Sequence, residues 1–351
     1  MLNKEEILLE DWENMAMEES IDWECLNGKC ILVTGATGLI GTTLIHGIMQ
    51  RNEKKEAGIH ILALVRNKEK ANTLFSSYIE RGDLQLVAGD ILKLPLIEEN
   101  VDYIIHGASI TASRDFVEKP VETITTAIDG TRNLLELARQ KNVKGMVYMS
   151  SMEVYGTPYD EQPLTEERMG YLNPLAVRSS YSESKQMVEN LCVAYASEYG
   201  IPVKIVRLTQ TFGPGVAGDD GRVFAEFARC AVMGKDIRLQ TEGLTKRMYL
   251  YTADAVTALL TVLTKGEDGQ AYNAANVNSY CSIREMAELV AKEFGQGKSS
   301  VVIAVSDTPN ASYNPVMQVY LDTTRLQALG WTTHVDLSEM YERMITCMEL
   351  S

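Results

Sequence analysis

Short apolar runs alternate with longer amphipathic stretches along the chain after Lys29. The strand-like runs are CILVTG, HILALV, LQLVAGD, VDYIIHGAS and GMVYMSS. Between them, helical patterns extend over Leu39 to Arg51, over Lys68 to Ile79 and in a long run through Leu135. The strand-like runs show little alternation, which is typical of strands that helices cover on both faces. The pattern predicts an α/β fold, a Rossmann-like doubly wound parallel sheet.

The same pattern divides the chain into three predicted parts. Residues 1–28 carry Trp12 and Met15 among many acids, and they predict an N-terminal helical extension that lies against the main body. Residues 29–210 predict a dinucleotide-binding Rossmann domain that also carries the catalytic residues. The glycine-rich stretch TFGPGVAGDDG then leaves this core. Residues 211–351 predict a smaller C-terminal α/β substrate domain over the ends of the sheet, with some chain crossing back to the core.

Composition narrows the range of partners. Of the 351 residues 45% are hydrophobic, and the net charge of -15 argues against nucleic acid or an anionic membrane as partner, because these need clustered Lys and Arg. The N-terminus lacks the basic and apolar regions of a signal peptide, and no apolar run is long enough to span a bilayer. We therefore expect a cytoplasmic protein. The six cysteines and four histidines are scattered, which predicts reduced thiols and no metal site.

A glycine-rich turn follows the first predicted strand and opens the first predicted helix, in the segment ILVTGATGLIG. Glycine permits a tight turn and a close approach of the backbone to a pyrophosphate, whose charge meets the amides at the helix N-terminus. The order of strand, glycines and helix predicts a nicotinamide dinucleotide site. Its predicted contacts in this turn are Gly35, Thr37, Gly38, Leu39, Ile40 and Gly41.

The end of the second predicted strand bears on the choice of cofactor. An NAD enzyme normally has an acid there for the ribose hydroxyls, whereas HILALV is followed by Arg66 and Asn67. A guanidinium suits a 2′-phosphate, although a solvated loop arginine is an equal reading. We expect NAD, with NADP as the alternative.

A tyrosine and a lysine provide the main catalytic signal. Tyr181 and Lys185 stand four apart in YSESK, so both lie on one face of the helix that this segment predicts. Tyrosine is a poor base at its ordinary pKa of ~10, but an adjacent ammonium favours the phenolate. Ser150 and Ser151 end the strand GMVYMSS at the carboxyl edge, where a hydroxyl can hydrogen-bond the substrate oxygen that Tyr181 deprotonates.

The glycine spacing, SSMEVYG and YSESK together resemble the extended short-chain dehydrogenases/reductases, the NAD-dependent epimerase/dehydratase family, over almost everything after Lys29. The resemblance selects Ser151 over Ser150 and implies a catalytic trio of Ser151, Tyr181 and Lys185. It also implies further cofactor contacts at strand ends. These are Asp90, Ile91, Gly107, Ala108, Ser109 and Met149, and Tyr181 and Lys185 complete the set.

Within that family, NPLAVRSSYSESK, SSMEVYG and DDGRVFAEF are most similar to UDP-glucuronate decarboxylases. The resemblance implies a UDP-linked sugar that is transiently oxidised at C4 and loses carbon dioxide from C6, with Glu153 managing protons near C5. It also implies a homodimer formed by the helix near Thr131 to Arg139 and the helix of Tyr181. The implied substrate residues are Ser150, Arg178, Gln210, Arg222 and Arg247.

Other reactions share the same opening step. A 4,6-dehydratase of the GDP-mannose or dTDP-glucose type would use Glu153 as a base, but many dTDP-glucose dehydratases have Asp directly before it. Met152 stands there in this chain, and a thioether cannot donate a proton. The GDP-mannose dehydratases lack this Asp too and often use NADP, which would agree with Arg66. A 4-epimerase needs neither group, and a non-catalytic NADP-sensing regulator has no need of an intact trio. Gln210 and Ala127 replace asparagines of the family, which points to a different substrate and to an altered hydrogen bond near the cofactor.

Overall fold

The computed structural model describes residues 2–305 and 316–348, which form thirteen strands and twelve α-helices. This description leaves out Met1, residues 306–315 and residues 349–351. Met1 belongs to the predicted N-terminal extension, and the other residues belong to the predicted C-terminal domain. The strands are β1 Cys30–Thr34, β2 His60–Val65, β3 Leu84–Ala88, β4 Tyr103–His106, β5 Gly145–Ser151, β6 Val203–Leu208, β7 Gln210–Phe212, β8 Ile237–Leu239, β9 Lys246–Tyr251, β10 Ala271–Ala274, β11 Asn276–Ser282, β12 Val301–Ile303 and β13 Gln318–Val319.

The α-helices connect and cover these strands. They are α1 Lys4–Met17, α2 Trp23–Leu26, α3 Leu39–Lys55, α4 Lys68–Leu74, α5 Asp115–Glu118, α6 Pro120–Lys141, α7 Ser180–Tyr199, α8 Val223–Val232, α9 Thr252–Lys265, α10 Ile283–Phe294, α11 Thr324–Gln327 and α12 Leu337–Cys347. Two short 3-10 helices, Met152–Tyr155 and Val177–Ser179, follow β5 and precede α7. No helix within the described ranges has the length and apolar character needed to cross a membrane.

Seven strands form one parallel sheet in the order β10-β6-β5-β4-β1-β2-β3. Successive residues of β1 alternate between two hydrophobic cores, with Ile31 and Val33 in one and Leu32 in the other. The sheet is therefore covered on both faces, and the predicted doubly wound fold is confirmed. The strand order reverses between β1 and β4, whose ends Thr34 and His106 are in register. Such a switch point is where folds of this class bind ligands.

A smaller sheet of four strands is built around β9. Strands β7 and β13 pair with β9 in parallel, and β11 pairs with it antiparallel. Phe212 of β7 stacks on Phe224 with ring centroids 4.6 Å apart, and it also contacts Tyr341 at 5.1 Å. Because β7 begins two residues after β6 ends, the chain passes from the large sheet into the small one beside the carboxyl ends of the large sheet. Strands β8 and β12 form a separate parallel pair.

Helix α1 packs on the main body by contacts with three later helices, α3, α9 and α12. Trp12 stacks on His46 of α3 with ring centroids 4.2 Å apart. The buried Asp11 pairs with Arg343 of α12 at 2.9 Å and accepts a hydrogen bond from Tyr251 at the end of β9. The N-terminal segment thus joins the first helix of the large sheet to the C-terminal helix.

Two helices differ in length from the pattern-based expectation. Helix α3 continues to Lys55, four residues beyond the predicted end. Helix α4 ends at Leu74 rather than at Ile79, because Phe75 turns fully into the core and the following residues form turns.

Candidate active site

The glycine turn after β1 forms a cradle that only residues without a side chain can make. Gly35 has φ +72°, and a Cβ there would lie 2.7 Å from the carbonyl carbon of Gly107. A Cβ on Gly41 would collide with the Gly35 carbonyl oxygen. Gly38 is the N-cap of α3 and has no side chain to accept a hydrogen bond. The first amides of the helix therefore have no capping side chain as a partner. This cradle fits a pyrophosphate at the helix N-terminus.

The ends of β2 and β3 lie beside this turn, because both strands follow β1 in the sheet. Arg66 is exposed, and Asn67 is the N-cap of α4, accepting a hydrogen bond from the Lys70 amide at 2.8 Å. The Asp90 carboxylate accepts from the Leu92 amide at 2.8 Å, and Ile91 packs against α6 close to Gly130. The order of the strands thus brings the predicted adenine and ribose residues to one edge.

His106, a buried residue at the end of β4, joins β1, β4 and α6 by hydrogen bonds below the cradle. Its Nδ1 contacts the Thr34 hydroxyl at 2.7 Å and its Nε2 contacts the Thr131 hydroxyl at 2.9 Å. Because Thr131 donates its hydrogen to the Ala127 carbonyl at 2.7 Å, His106 must donate from Nε2 and accept at Nδ1. Burial and the charge of Lys185 lower the pKa of His106 to about 3, so the ring is neutral. These hydrogen bonds fix the ends of β1 and β4. Position 127 takes part through its backbone carbonyl, so the asparagine side chain of the family is not needed for them.

The three predicted catalytic residues meet at the end of β5. Tyr181 and Lys185 lie one turn apart on α7, and both are buried. The Lys185 ammonium donates to the Met149 carbonyl at 2.7 Å and lies 4.5 Å from the Tyr148 ring centre and 5.6 Å from that of Tyr181. Ser151 is the last residue of β5, and its hydroxyl accepts a hydrogen bond from the Glu153 amide at 3.2 Å.

Burial controls the protonation of this trio. It raises the pKa of Tyr181 to about 12, against the opposing effects of the Ser151 hydrogen bond and the Arg222 charge. Burial also lowers the pKa of Lys185 to about 7, and the Glu189 carboxylate opposes that shift. Near neutral pH the Tyr181 hydroxyl is therefore protonated, whereas the Lys185 ammonium is in the range where it can lose its proton.

An aromatic stack holds the Tyr181 ring. Phe116 of α5 lies parallel to it, with ring centroids 4.2 Å apart and an interplanar angle of 10°. The Arg178 guanidinium lies 5.9 Å from the Phe116 centroid and 3.8 Å from the Glu153 carboxylate. Glu153 also accepts from Ser182 at 3.5 Å. The structure thus brings Glu153 and Arg178 to the same place as the catalytic tyrosine.

Met152 points away from this cluster into an apolar one. Its side chain packs with Met248, Val319 and Leu321, and its sulfur accepts a weak hydrogen bond from Thr209 at 3.1 Å. The position that precedes Glu153 therefore holds a buried packing residue and offers no proton donor.

Two predicted substrate residues have buried polar atoms with no partner in the described chain. These are Gln210 Oε1 at the start of β7 and Arg247 Nε on β9. Arg222, just before α8, is paired with Asp220 at 2.6 Å while still acting on Tyr181 by its charge. Buried polar atoms without a partner mark places that a ligand or water completes. Contact of these residues with substrate, like that of the cofactor set, stays a prediction.

Ser150 takes a different direction from Ser151. It is buried, and its hydroxyl donates to Glu189 at 2.5 Å. Glu189 also receives hydrogen bonds from Arg207, the shortest at 2.7 Å, and Arg207 donates to the Tyr155 hydroxyl at 3.0 Å. This geometry gives no support to a substrate contact by Ser150.

Sequence reasoning missed Glu189, Arg207, His106 and Phe116. For Glu189 a signal was present: it lies four residues after Lys185 on the same helix face, in an otherwise apolar pattern. For Phe116 there was none, because its partner Tyr181 is distant in the chain.

Comparisons with known proteins show the family of the chain. The model of the NAD dependent epimerase/dehydratase family matches residues 31–277. The chain is 31% identical over 315 residues to UDP-glucuronic acid decarboxylase 5 of Arabidopsis thaliana, covering 90% of this chain and 88% of that protein.

Solved structures are similar at lower identity. One is the UDP-glucose 4-epimerase of Thermotoga maritima, with a TM-score of 0.75 and 21% identity over 91% of this chain and 98% of the other. Another is the dTDP-glucose 4,6-dehydratase of Bacillus anthracis, with a TM-score of 0.73 and 22% identity over 91% and 96% of the two chains. At these identities the likeness establishes the fold alone.

Proposed function

Since the chain belongs to the NAD-dependent epimerase/dehydratase family, we propose that this nucleotide-sugar enzyme is a decarboxylase of UDP-glucuronate. Its similarity to a UDP-glucuronic acid decarboxylase over most of both chains supports the substrate. The choice of reaction rests on the surroundings of Glu153. The residue before it, Met152, has its thioether in a buried apolar cluster, and the Arg178 guanidinium lies 3.8 Å from the Glu153 carboxylate.

That environment favours loss of carbon dioxide over loss of water. A dehydratase must protonate a leaving C6 hydroxyl, and the residue before Glu153 has no proton to give. A decarboxylase must instead hold a C6 carboxylate, which suits a guanidinium. We assign that role to Arg178, which lies 3.8 Å from Glu153, and to Arg247, whose buried Nε has no partner among the described residues.

We assign the cofactor site to the glycine cradle, where Gly35, Gly38 and Gly41 would hold the pyrophosphate and Arg66 would hold the ribose. A bound nicotinamide would supply hydride transfer from and back to the sugar C4. We propose NAD as the cofactor and NADP as the alternative that the exposed Arg66 allows. Replacement Arg66→Ala is expected to weaken NADP binding by about tenfold and leave NAD binding unchanged, as measured by calorimetry. Equal effects on both cofactors would remove the alternative.

The chain's own residues perform the proton chemistry. Tyr181 takes the C4 hydroxyl proton, and Ser151 hydrogen-bonds the C4 oxygen. With a ketone at C4, the C6 carboxylate is β to a carbonyl, so the C5–C6 bond breaks and its electron pair moves towards the C4 oxygen. Carbon dioxide leaves, and C5 is then protonated, with Glu153 positioned to manage that proton. Tyr181 returns its proton to the C4 oxygen as the ketone is reduced.

A panel of nucleotide-sugars tests the reaction. The purified protein is incubated separately with UDP-glucuronate, GDP-mannose, dTDP-glucose and UDP-glucose, without added reductant, and the products are weighed by mass spectrometry. We expect UDP-glucuronate alone to react, with the mass loss of carbon dioxide. Loss of water from another substrate would identify a dehydratase, and reaction at unchanged mass would identify an epimerase. No reaction with any substrate, together with cofactor that exchanges freely, would favour a sensing regulator.

We also propose a homodimer through α6 and α7, because apolar side chains on these packed helices are exposed. They are Val121, Ile124, Met187 and Val193. Sedimentation should show a dimer that Met187→Glu dissociates and that Met233→Glu, at an exposed site after α8, leaves intact. A monomeric native protein would refute this. The six free thiols are in keeping with a reducing, cytoplasmic location.

A further inference from the structure

A buried group of charges lies directly behind the catalytic helix. Glu189 is 6% exposed and Arg207 is 5% exposed. One oxygen of Glu189 accepts from Ser150 at 2.5 Å and from Arg207 Nε at 3.1 Å, and the other accepts from Arg207 at 2.7 Å. The carboxylate is thus fully hydrogen-bonded, as a buried charge must be.

Glu189 is linked to both elements that carry the catalytic trio, helix α7 and strand β5. It lies one turn after Lys185 on α7, so the two side chains share a helix face. Its partner Ser150 is the neighbour of Ser151 on β5, and Arg207 pairs in register with Ser150 across β5 and β6. One carboxylate therefore ties the helix of Lys185 to the strand end that carries Ser151.

The charge of Glu189 also acts on Lys185. The groups that face Lys185 or Glu189 from the packed elements are Tyr148, His106, Tyr181, Cys192, Ser150 and Arg207. Of these, the phenols and the thiol have their pKa values raised by burial, and His106 is neutral. Glu189 is accordingly the one carboxylate among these groups, and since it already binds the Arg207 guanidinium at 2.7 Å, its loss would leave two buried cations without an anion.

We propose that Glu189 is a positioning residue, which fixes the Lys185 turn of α7 against β5 through Ser150 and supplies the negative charge shared by the buried cations Arg207 and Lys185. This rests on the proposed function in one respect, the roles given to Tyr181 and Lys185. It assigns Ser150 to the support of the site rather than to the substrate.

Direct titration of Lys185 tests the counter-charge. The full-length protein is labelled with 13C at the lysine ε carbons, and the Lys185 signal is identified by its loss in Lys185→Met. Its midpoint is followed by NMR in the native protein, Glu189→Gln, Glu189→Asp and Glu198→Gln, an exposed control on the same helix. We expect the midpoint to fall by about one pH unit in Glu189→Gln. It should return towards the native value in Glu189→Asp and remain there in Glu198→Gln.

Ser150→Ala tests the positioning, because it removes the link to β5 and leaves the charge of Glu189. We expect kcat for UDP-glucuronate to fall by about threefold to tenfold, with KM and the Lys185 midpoint unchanged. A raised KM with unchanged kcat would instead make Ser150 a substrate contact and overturn the positioning role. This variant also decides the matter if Glu189→Gln fails to fold.

The counter-charge role is overturned if Glu189→Gln leaves the Lys185 midpoint in place, or if Glu189→Asp shares the displaced midpoint of Glu189→Gln. The titration needs no substrate. A failure of the proposed reaction would appear separately, as native protein that converts no sugar in the panel.

Discussion

The two halves of the site are completed in different ways. In the half predicted to be catalytic, Ser151, Tyr181 and Lys185 on β5 and α7, the tyrosine and the lysine are buried and Ser151 and Lys185 have hydrogen-bond partners in the chain. The substrate half, Gln210 and Arg247 on β7 and β9, has buried polar atoms that no described residue pairs with. The first half is held together by contacts within the chain. We propose that a ligand completes the second half, so that the identity of the substrate depends on it.

Removing the catalytic base should have the largest effect. Tyr181→Phe keeps the stack on Phe116 and loses only the hydroxyl, so we expect product formation to fall by about 10³-fold while the cofactor stays bound. Tyr199→Phe, at an exposed end of the same helix, is the matched control and should retain full activity. If Tyr181→Phe remained active, the catalytic half would have to be placed elsewhere.

A change in the substrate half should separate binding from cofactor chemistry. Arg247→Met removes a guanidinium with a partnerless buried Nε, and we expect kcat/KM for UDP-glucuronate to fall by about 100-fold with unchanged cofactor binding. The control is Arg238→Met on the exposed side of β8. Loss of cofactor from Arg247→Met would show that the two halves are not independent.

The pH dependence should report the catalytic half. With the pKa of Lys185 at about 7 and that of Tyr181 at about 12, the pair loses its first proton near pH 7. The singly deprotonated pair includes the reactive form, phenolate beside ammonium. We therefore expect kcat/KM to rise about tenfold per pH unit below that point and to level off above it. A rate that falls as pH rises towards 7 would contradict this protonation scheme.

A substitution of Met152 should have the smallest effect on activity, because its side chain packs in an apolar cluster and is part of neither half of the site. Met152→Leu keeps the volume of an apolar side chain, so the free energy of unfolding should fall by less than about 1.5 kcal/mol in urea titration. The products should be unchanged in mass and rate. A change of product would mean that the thioether touches the substrate.

Local patterns determined much of the fold and the catalytic half. The run of apolar strands and amphipathic helices identified the parallel sheet, since helices on both faces require strands without alternation. The glycine turn was predictable because only glycine can adopt the conformation of Gly35 against Gly107. The pairing of Tyr181 with Lys185 was predictable because it is a spacing on one helix.

The surroundings of these residues were not predictable in the same way. Phe116 lies on Tyr181, Arg207 binds Glu189, and His106 joins Thr34 to Thr131. Each contact links elements that are far apart in the chain. The turn of Ser150 towards Glu189 depends on which face of β5 meets α7, and two adjacent serines in a sequence do not reveal it.

The sequence by itself determined the fold class, the cofactor turn and the catalytic spacing, because each depends on periodicity or on a backbone conformation within a few residues. Only the tertiary structure decided the directions of Ser150 and Met152, the shifted pKa values of the buried Tyr181 and Lys185, and the lack of a described partner for Arg247 Nε. Those properties depend on desolvation and on neighbours brought together by packing, which a local pattern does not contain.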